Sequence, residues 1–425
     1  MLILAAALID GTGAEPSRDI AVLLDGERIT RVLPQRDLER TAREGREVLD
    51  LGDATLLPGL IDTHVHLTFS AAPTHEEVRR AVTEESDATL ALRAIGNAQA
   101  HLAGGVTTVR DVGGRGFVAL AVRDAVAAGI VLGPRILASG PAITTRTGHL
   151  NYLGAVADDA EEVRMRVAEV LDAGADLVKI CATGGIMTAE SDPMQSQYTA
   201  EELRAAVEVA EARGKLVAAH VLTTDGVERC VEAGVRSLEH CLFQEAPGEY
   251  RFRPELAERM RDRGIFAGLT YAGITQARYR REVLGEAVGE LGIWQERLMR
   301  RGAAERALID AGVRYVLHSD CGVRETPFGE FWRVLASACY ELSLSPLEAI
   351  RAATGTAAEL LGLGAELGSV APGKRADLLA VSGRPEERIK ALARPGMVMR
   401  DGRVVSRERD GGGSLRAPFC PERRA

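Results

Sequence analysis

Two histidines one residue apart are the first feature of this sequence that could do chemistry. His64 and His66 lie in LLPGLIDTHVHL, an apolar run typical of a β-strand. Because side chains alternate along a strand, both imidazoles leave the same face, roughly 6.6 Å apart by strand rise. Such a pair can hold one divalent ion. Taken alone, the motif also fits two strand-end residues that hydrogen-bond to loops.

Three further residues of metal-binding type lie in later apolar runs. His220 lies in KLVAAHV, His240 in VRSLEHC and Asp320 in VRYVLHSD. If these runs are strands of one barrel, their side chains converge with the first two histidines on one mouth. Several imidazoles with one carboxylate form the ligand set of a transition metal. The sequence therefore predicts a metal centre, and Zn²⁺, Mn²⁺, Fe²⁺ or Co²⁺ would suit these ligands.

Lys179 is conspicuous because the chain has few lysines and this one lies in an apolar strand pattern, LVKICATGG. Burial is costly for an ammonium group and favours the neutral amine. A neutral amine reacts with carbon dioxide to give a carbamate, whose two oxygens can bridge two metal ions about 3.5–4 Å apart. By itself Lys179 also fits a salt-bridged lysine, but the surrounding ligand set favours the carbamate.

The elements that must position these side chains alternate between strand and helix. From Leu56 onward, each short apolar run is followed by a segment with helical spacing, which is typical of βα units. One helical segment carries a capping box, Thr199 with Glu202 three residues later. Eight such units predict an α/β fold, a (β/α)8 TIM barrel with its active site at the carboxyl ends of the strands. The predicted strands are LLPGLIDTHVHL, VTTVRDV, RILASG, LVKICATGG, KLVAAHV, VRSLEHC, IFAGLT and VRYVLHSD.

Short β-type runs with Asp-Gly turns flank the barrel on both sides. They predict one small β-sandwich domain built from both termini. The predicted divisions are 1–56 for the N-terminal part of this domain, 57–360 for the (β/α)8 barrel with its metal centre, 361–405 for the C-terminal part and 406–425 for a loosely ordered tail.

Composition narrows the class of protein. The 425 residues carry 52 Lys plus Arg against 61 Asp plus Glu, a net charge of −9, which does not favour a nucleic-acid partner. No run has the length of a membrane span, and the N-terminus lacks the features of a signal peptide, so a cytoplasmic location is expected. The six cysteines show no C-x-x-C spacing and are expected to be free thiols. A small-molecule substrate is the expected partner, and a homo-oligomer is possible.

The motifs PGLIDTHVHL, GVTTVRDVGG, LVKICATGGIMT, AAHV, SLEHC and HSD, in this order, resemble the amidohydrolase superfamily of metal-dependent hydrolases. ATGGIMT followed by SDPMQSQYTAEEL is similar to the group related to imidazolonepropionase and to Xaa-Pro dipeptidases (prolidases) with a carboxylated lysine. GSVAPGKRADLLAV resembles the C-terminal small-domain segment of that family. The resemblance extends over nearly the whole chain.

The resemblance implies two divalent ions, with Zn²⁺ expected, and a carbamate derived from CO2 on Lys179. It assigns one ion to His64, His66, Lys179 and Asp320, and the other to Lys179, His220 and His240. A hydroxide that bridges the two ions would be the nucleophile, since metal coordination brings the pKa of water to about 7. Asp320 would act as general base and pass the proton to the leaving amine.

The sequence departs from relatives mainly where a substrate would bind. Leu222 stands where relatives often have a second histidine, and His149 lies near the place of their Thr-Gly-Gly-His motif. His149 is expected to hydrogen-bond a substrate carbonyl as a catalytic residue, with loop packing as the alternative. Tyr198 and Arg324 are candidates for binding a substrate carboxylate, although a structural role suits each as well.

The leading hypothesis is a binuclear hydrolase of an amide-type C–N bond in a dipeptide such as Xaa-Pro or in an N-acyl amino acid. A cyclic-amide hydrolase similar to imidazolonepropionase is the nearest alternative. Carbamate, ester and lactone hydrolases stay open, because their reactions pass through comparable oxyanions. A deaminase is disfavoured because Thr223 occupies the place of the expected glutamate, and a non-catalytic protein would be expected to have lost ligands.

Overall fold

The computed structural model describes residues 1–39, 43–288, 299–409 and 413–414. Within them, helices and strands alternate along the central part of the chain, as an α/β fold requires. The strands are β1 Leu2–Leu8, β2 Ser17–Asp25, β3 Arg28–Pro34, β4 Val48–Asp50, β5 Thr55–Pro58, β6 Leu60–Val65, β7 Val106–Asp111, β8 Arg135–Ala138, β9 Ile143–Thr144, β10 Ala155–Val156, β11 Val178–Cys181, β12 Val217–His220, β13 Ser237–Glu239, β14 Gln244–Ala246, β15 Glu249–Tyr250, β16 Phe266–Thr270, β17 Arg314–His318, β18 Leu378–Val381, β19 Pro395–Arg400, β20 Arg403–Arg409 and β21 Gly413–Ser414. The helices are α1 His75–Glu84, α2 Asp87–Ala103, α3 Val118–Ala127, α4 Ala160–Asp172, α5 Ala200–Glu211, α6 Thr224–Ala233, α7 Pro254–Asp262, α8 Ala277–Glu282, α9 Gly302–Asp310, α10 Trp332–Leu342, α11 Pro346–Ala352 and α12 Gly355–Leu360.

The eight predicted barrel strands are all present, as β6, β7, β8, β11, β12, β13, β16 and β17. They pair in parallel in two groups, β6-β7-β8 and β11-β12-β13-β16-β17, and the short strands β9 and β10 extend the second group beyond β11. The third strand is interrupted: β8 pairs with β7, while β9, a few residues later, pairs with β11. The arrangement is of the TIM-barrel type, and complete closure of the ring stays a prediction.

The first and eighth strands meet at their carboxyl ends. Val65 and Cys321 form a parallel bridge, and the backbone N–H of Asp320 donates to the His64 carbonyl at 2.8 Å. The backbone N–H of His66 donates to the Cys321 carbonyl, also at 2.8 Å. These bonds place the H-x-H motif directly beside the aspartate of the eighth strand.

The helices that separate the strands begin at residues that satisfy their free N–H groups. Thr199 and Glu202 form the predicted capping box at the start of α5. The side chain of Asp159 caps α4 by accepting from the N–H groups of Glu161 and Glu162. No helix among the described residues is long and apolar enough to cross a membrane.

The two termini combine in one sheet, in the order β21-β20-β19-β18-β5-β1-β2-β3, with β4 paired to β1. Because side chains alternate along β5 and β18, the two faces of these strands pack against two different hydrophobic cores. Leu57 and Leu379 face the barrel core, whereas Leu56 and Leu378 face the core of the small sheet. A two-layer sandwich stays a prediction.

The predicted domain divisions, with a tail at 406–425, stay predictions. Strand β20 continues to Arg409, past the expected end of the ordered part at 405, and β21 follows it at 413–414. The rest of the predicted tail, 410–412 and 415–425, lies outside the described residues.

Candidate active site

His64, His66 and Asp320 converge at the mouth formed by the strand ends. Asp320 Oδ1 lies 3.3 Å from His64 Nε2 and 3.2 Å from His66 Nε2, and one ligand atom from each residue lies within 4.8 Å of the others. All three side chains are largely buried. This spacing fits three ligands of a single metal ion.

Hydrogen bonds at the far side of each ring orient these two histidines. His64 Nδ1 lies 2.8 Å from Glu239 Oε2, and His66 Nδ1 lies 2.6 Å from the Gly113 carbonyl. Because a carboxylate and a carbonyl only accept, each Nδ1 carries a proton, and each Nε2 is directed toward Asp320. Such outer contacts are usual for metal-binding histidines.

His220 and His240 form a second pair of imidazoles on the neighbouring strands, with ring centroids 4.7 Å apart. The ring of His240 also lies 5.2 Å from that of His64, so the two groups share one mouth. His240 Nδ1 hydrogen-bonds Thr270 Oγ1 at 2.9 Å, which leaves Nε2 free. His220 Nε2 lies 3.1 Å from the Gly184 carbonyl, so its free nitrogen is Nδ1.

Lys179 lies within electrostatic range of the ligands of both groups. Its side chain is 2% exposed, and its Nζ has no hydrogen-bond partner. Burial lowers its pKa, while the charges of Glu239 and Asp320 act in the opposite direction. An unpartnered, desolvated amine among metal-binding side chains has the chemistry that carbamate formation requires, so the residues present fit a carboxylated lysine with two ions.

Burial also sets the charge states of the other groups. Desolvation lowers the pKa values of His220, His240 and His149 well below the ordinary histidine value, so these rings are neutral at pH 7 and retain a lone pair. Burial alone would raise the pKa of Asp320, but His64 and His66 outweigh it and hold that pKa well below its ordinary value. The carboxylate is therefore ionised.

His149 lies in the loop after the third strand, where it packs against His220 with a ring-centroid distance of 4.4 Å. Its Nδ1 is buried and has no hydrogen-bond partner. A Cβ at Gly185 would come within 2.6 Å of this nitrogen, so the glycine of the ATGG motif makes room for the ring. His149 is thus placed beside His220, and its Nδ1 has no hydrogen-bond partner within the described part of the chain.

Tyr198 is buried, and its side chain makes a hydrogen bond within the protein. The side chain is 1% exposed in the main hydrophobic core, and its hydroxyl donates to the Ala157 carbonyl at 2.8 Å. This hydrogen bond gives Tyr198 a structural role, and a substrate contact through its side chain stays a prediction.

Arg324 lies in the loop after the eighth strand, and this loop is hydrogen-bonded to the loop after the first strand. The N–H of Glu325 donates to the Ala72 carbonyl at 3.1 Å. The Arg324 side chain is 25% exposed, and its ion pair with Glu325 is long, at 4.0 Å. His75, the first residue of α1, has an Nδ1 without a hydrogen-bond partner among the described residues, and its pKa is lowered by burial and by the charge of Arg324. Arg324 is therefore a weakly paired cation in the loop after the eighth strand.

Sequence reasoning missed Glu239. It is fully buried and accepts hydrogen bonds from His64 Nδ1, from Arg110 Nη2 at 2.7 Å and from Ser237 Oγ at 2.6 Å. Its position directly before His240 was the available signal, but strand alternation turns adjacent side chains to opposite faces. His240 has a φ of 65°, in the left-handed region, and this breaks the alternation.

The cysteines beside the ligands are thiols. Burial raises the pKa of Cys181 to about 12 and those of Cys241 and Cys321 well above the ordinary value. Neutral thiols are poor metal ligands. The described cysteines are all free, and Cys420 lies outside the described residues.

We expect Tyr198→Phe to lower stability by about 1 kcal/mol, because a buried carbonyl loses its donor, and to leave KM unchanged. Urea unfolding and steady-state kinetics measure the two effects. Tyr340→Phe, which removes a contact at the surface, is the matched control and should change stability by less than about 0.5 kcal/mol. A raised KM in Tyr198→Phe with normal stability would favour a substrate contact.

Comparison with known proteins gives consistent results. The model of the amidohydrolase family matches residues 55–405. Ochratoxinase of Aspergillus niger is 30% identical over 433 residues, covering 93% of this chain and 83% of the relative. Imidazolonepropionase of Geobacillus kaustophilus is 26% identical over 84% of this chain and 82% of the relative. The crystal structure of a Xaa-Pro dipeptidase with bound methionine in the active site superposes with a TM-score of 0.81 at 29% identity, covering 95% of this chain and 98% of the other. The chain therefore belongs to the amidohydrolase family, as a hydrolase acting on carbon–nitrogen bonds.

Proposed function

We propose that this protein is a binuclear metal-dependent amidohydrolase that cleaves the amide bond of a dipeptide, such as Xaa-Pro, or of an N-acyl amino acid. The observation that carries the proposal is the buried Lys179 amine, which has no hydrogen-bond partner among the described residues and lies among two groups of imidazoles. A lysine with a purely structural role would be expected to pair with a carboxylate here. A lysine whose amine becomes carboxylated needs no such partner.

In this proposal Lys179, as a carbamate, His64, His66 and Asp320 would hold one ion. Lys179, His220 and His240 would hold the other. Zn²⁺ is the expected metal, and Mn²⁺, Fe²⁺ or Co²⁺ would suit the same donors. The proposal includes a closed barrel and a two-layer terminal domain, with a cytoplasmic location.

The two ions, when bound, supply Lewis acidity that makes a water molecule nucleophilic near neutral pH. Asp320, held ionised, takes a proton from this water and transfers it to the nitrogen of the leaving amine as the C–N bond breaks. His149 donates an imidazole N–H to the substrate carbonyl oxygen, where negative charge develops. The products are a carboxylic acid and an amine.

The rim supports a substrate with a free carboxylate. Among the described residues the Arg324 guanidinium has no ion pair shorter than 4.0 Å, and His75, the first residue of α1, has a ring nitrogen without a hydrogen-bond partner. A guanidinium binds a carboxylate through two parallel hydrogen bonds. A dipeptide or an N-acyl amino acid offers that group beside the scissile amide.

A cyclic-amide hydrolase is the second candidate, favoured by the similarity to imidazolonepropionase. It would need one ion, held by His64, His66, His220 and Asp320, and no carbamate. The behaviour of Lys179 variants therefore separates the two candidates.

Lys179→Ala should lose metal content and activity together, because one substitution removes a ligand from both ions. Lys179→Arg should fail as well, since a guanidinium cannot form the carbamate. Acetate or propionate should restore part of each in Lys179→Ala. Metal analysis and turnover are the measurements, with the exposed Lys390→Ala as the control that changes neither. Two ions and substantial activity in Lys179→Ala would rule out the carbamate.

Asp320→Asn should lower kcat by about 10² or more, the scale expected for loss of a general base. Asparagine keeps the shape and one oxygen donor, so the fold should be unchanged by circular dichroism. Asp53→Asn, at an exposed position, is the control for loss of one negative charge. Near-normal turnover of metal-loaded Asp320→Asn would remove this residue from the chemistry.

Arg324→Met should raise KM by roughly 10- to 100-fold for a substrate with a free carboxylate, the loss expected for a hydrogen-bonded ion pair. For the same substrate amidated at that carboxylate, KM should change little. The exposed Arg36→Met controls for lost charge. Equal effects on the acid and the amide would show that Arg324 does not bind the carboxylate.

A further inference from the structure

A groove of about 570 Å³ lies on the segment between β18 and β19, away from the barrel mouth. Val381, the last residue of β18, pairs with Thr55, which precedes β6 in the chain, whereas the proposed metal ligands lie at the carboxyl end of β6. Three arginines line the groove, and one carboxylate, Glu387, lies beside them. We call it the arginine groove; its arginines are Arg384, Arg388 and Arg394.

The segment that carries these arginines is fixed to the rest of the protein. Its central part, Ile389–Ala393, is a short 3₁₀ helix. Leu392 is fully buried in the main hydrophobic core, and Ile389 packs against the same core. The Gly383 carbonyl accepts a hydrogen bond from Thr55 Oγ1 at 2.8 Å. The groove therefore has a defined floor.

The period of this helix explains why two arginines lie side by side. In a 3₁₀ helix, residues three apart share a face. The N–H of Ala391 donates to the Arg388 carbonyl at 2.9 Å, and the N–H of Arg394 donates to the Ala391 carbonyl at 3.4 Å. Because Leu392 takes the inner face, Arg388, Ala391 and Arg394 share another. The methyl group of Ala391 leaves space between the two longer side chains.

The carboxylates of the segment are already paired with other cations. Glu386 lies 2.8 Å from Arg18 and 3.3 Å from Arg384, and Glu387 lies 2.5 Å from Arg384. Two arginines have neither an ion pair nor a side-chain hydrogen bond in the described part of the chain, Arg388 and Arg394. In a protein with a net charge of −9, two neighbouring cations without a counter-charge favour an anionic ligand.

The composition of the groove indicates the chemical class of that ligand. A guanidinium binds a phosphate group through two parallel hydrogen bonds. Arg388 and Arg394 are six residues apart, roughly 12 Å along a 3₁₀ helix, so one phosphate group cannot easily serve both. None of the described residues that line the groove is aromatic, so a nucleobase would find no ring to stack on. The volume is that of a site for a small molecule, about 300–1,000 Å³.

We propose that the arginine groove is a binding site for a compact polyphosphate, which Arg388 and Arg394 hold through its phosphate groups. The site recognises the phosphate chain and not a base or a sugar. It is separate from the barrel mouth, and the proposal does not depend on the metal centre or on the substrate.

The first experiment is calorimetric titration of the full-length, metal-loaded protein with inorganic tripolyphosphate. We expect one site per chain and binding that weakens as salt is added, because the contacts are between charges. ATP should bind within about threefold of tripolyphosphate, since its base adds no contact. Orthophosphate should bind at least about 10-fold more weakly, because it cannot reach both arginines.

Variants of the groove identify the site. Arg388→Met and Arg394→Met should each raise the Kd for tripolyphosphate about 10-fold, the effect of losing a hydrogen bond to a charged group. Ala391→Glu should also weaken binding, because it places a negative charge between the two arginines. Ala391→Gln, which is equally large but neutral, should weaken binding less and so separates charge from size.

The matched control removes two arginines elsewhere. Arg31 and Arg80 are exposed and lie outside the groove. The double variant Arg31→Met with Arg80→Met should bind tripolyphosphate as the wild type does, whereas Arg388→Met with Arg394→Met should not. The two double variants have the same net charge, so a difference between them cannot come from the overall charge of the protein.

The contrary outcomes are distinct. Absence of binding to the wild type would overturn the proposal, and so would equal binding by the two double variants. Because polyphosphates also bind metal ions, the metal content is measured after each titration. Heat that comes only from removal of metal would be the same in all variants and would overturn the site. ATP that binds much more tightly than tripolyphosphate would overturn recognition through phosphate groups alone.

Discussion

The buried ion pair between Arg110 and Glu239 is the constraint around which the barrel mouth is built. Both side chains are at most 1% exposed, and isolated charges at such depth would cost several kcal/mol each. Arg110 lies on β7 and reaches the Thr63 carbonyl of β6 at 2.5 Å as well as the glutamate of β13. The pair therefore ties three strands together at the level of the metal ligands. Removing either partner would leave the other charge unpaired in the interior.

The same burial has opposite effects on bases and acids in this mouth. Desolvation keeps the imidazoles of His220 and His240 and the amine of Lys179 closer to neutral, which preserves their lone pairs. Asp320 and Glu239 stay ionised because each faces several N–H donors or positive charges. Neutral nitrogen donors beside ionised oxygen donors are what a transition metal requires. Both kinds of donor therefore occur in one buried environment, because the carboxylates face more N–H donors than the imidazoles and the amine do.

The strands were predictable from sequence because apolar runs and helical spacing alternate regularly along the barrel. That the residues of metal-binding type would meet followed from topology, since carboxyl ends of parallel strands share one face. The burial of Tyr198 could not be predicted, because a tyrosine that precedes a helix can turn toward solvent or into the core, and only packing decides. Glu239 was missed because its inward direction depends on the backbone of His240, whose positive φ no residue pattern encodes. The interruption of the third strand is likewise set by long-range pairing.

The terminal sheet has a consequence for how the protein is made. Strand β5 pairs with β18 so that Thr55 lies opposite Val381, and the whole barrel is synthesised between them. At a synthesis rate of roughly 5–20 residues per second, β18 is made about 15–60 s after β5. Helices and neighbouring βα units form far faster than that. The order of synthesis therefore favours assembly of the barrel first, with the sheet closing last and joining the beginning of the chain to its end.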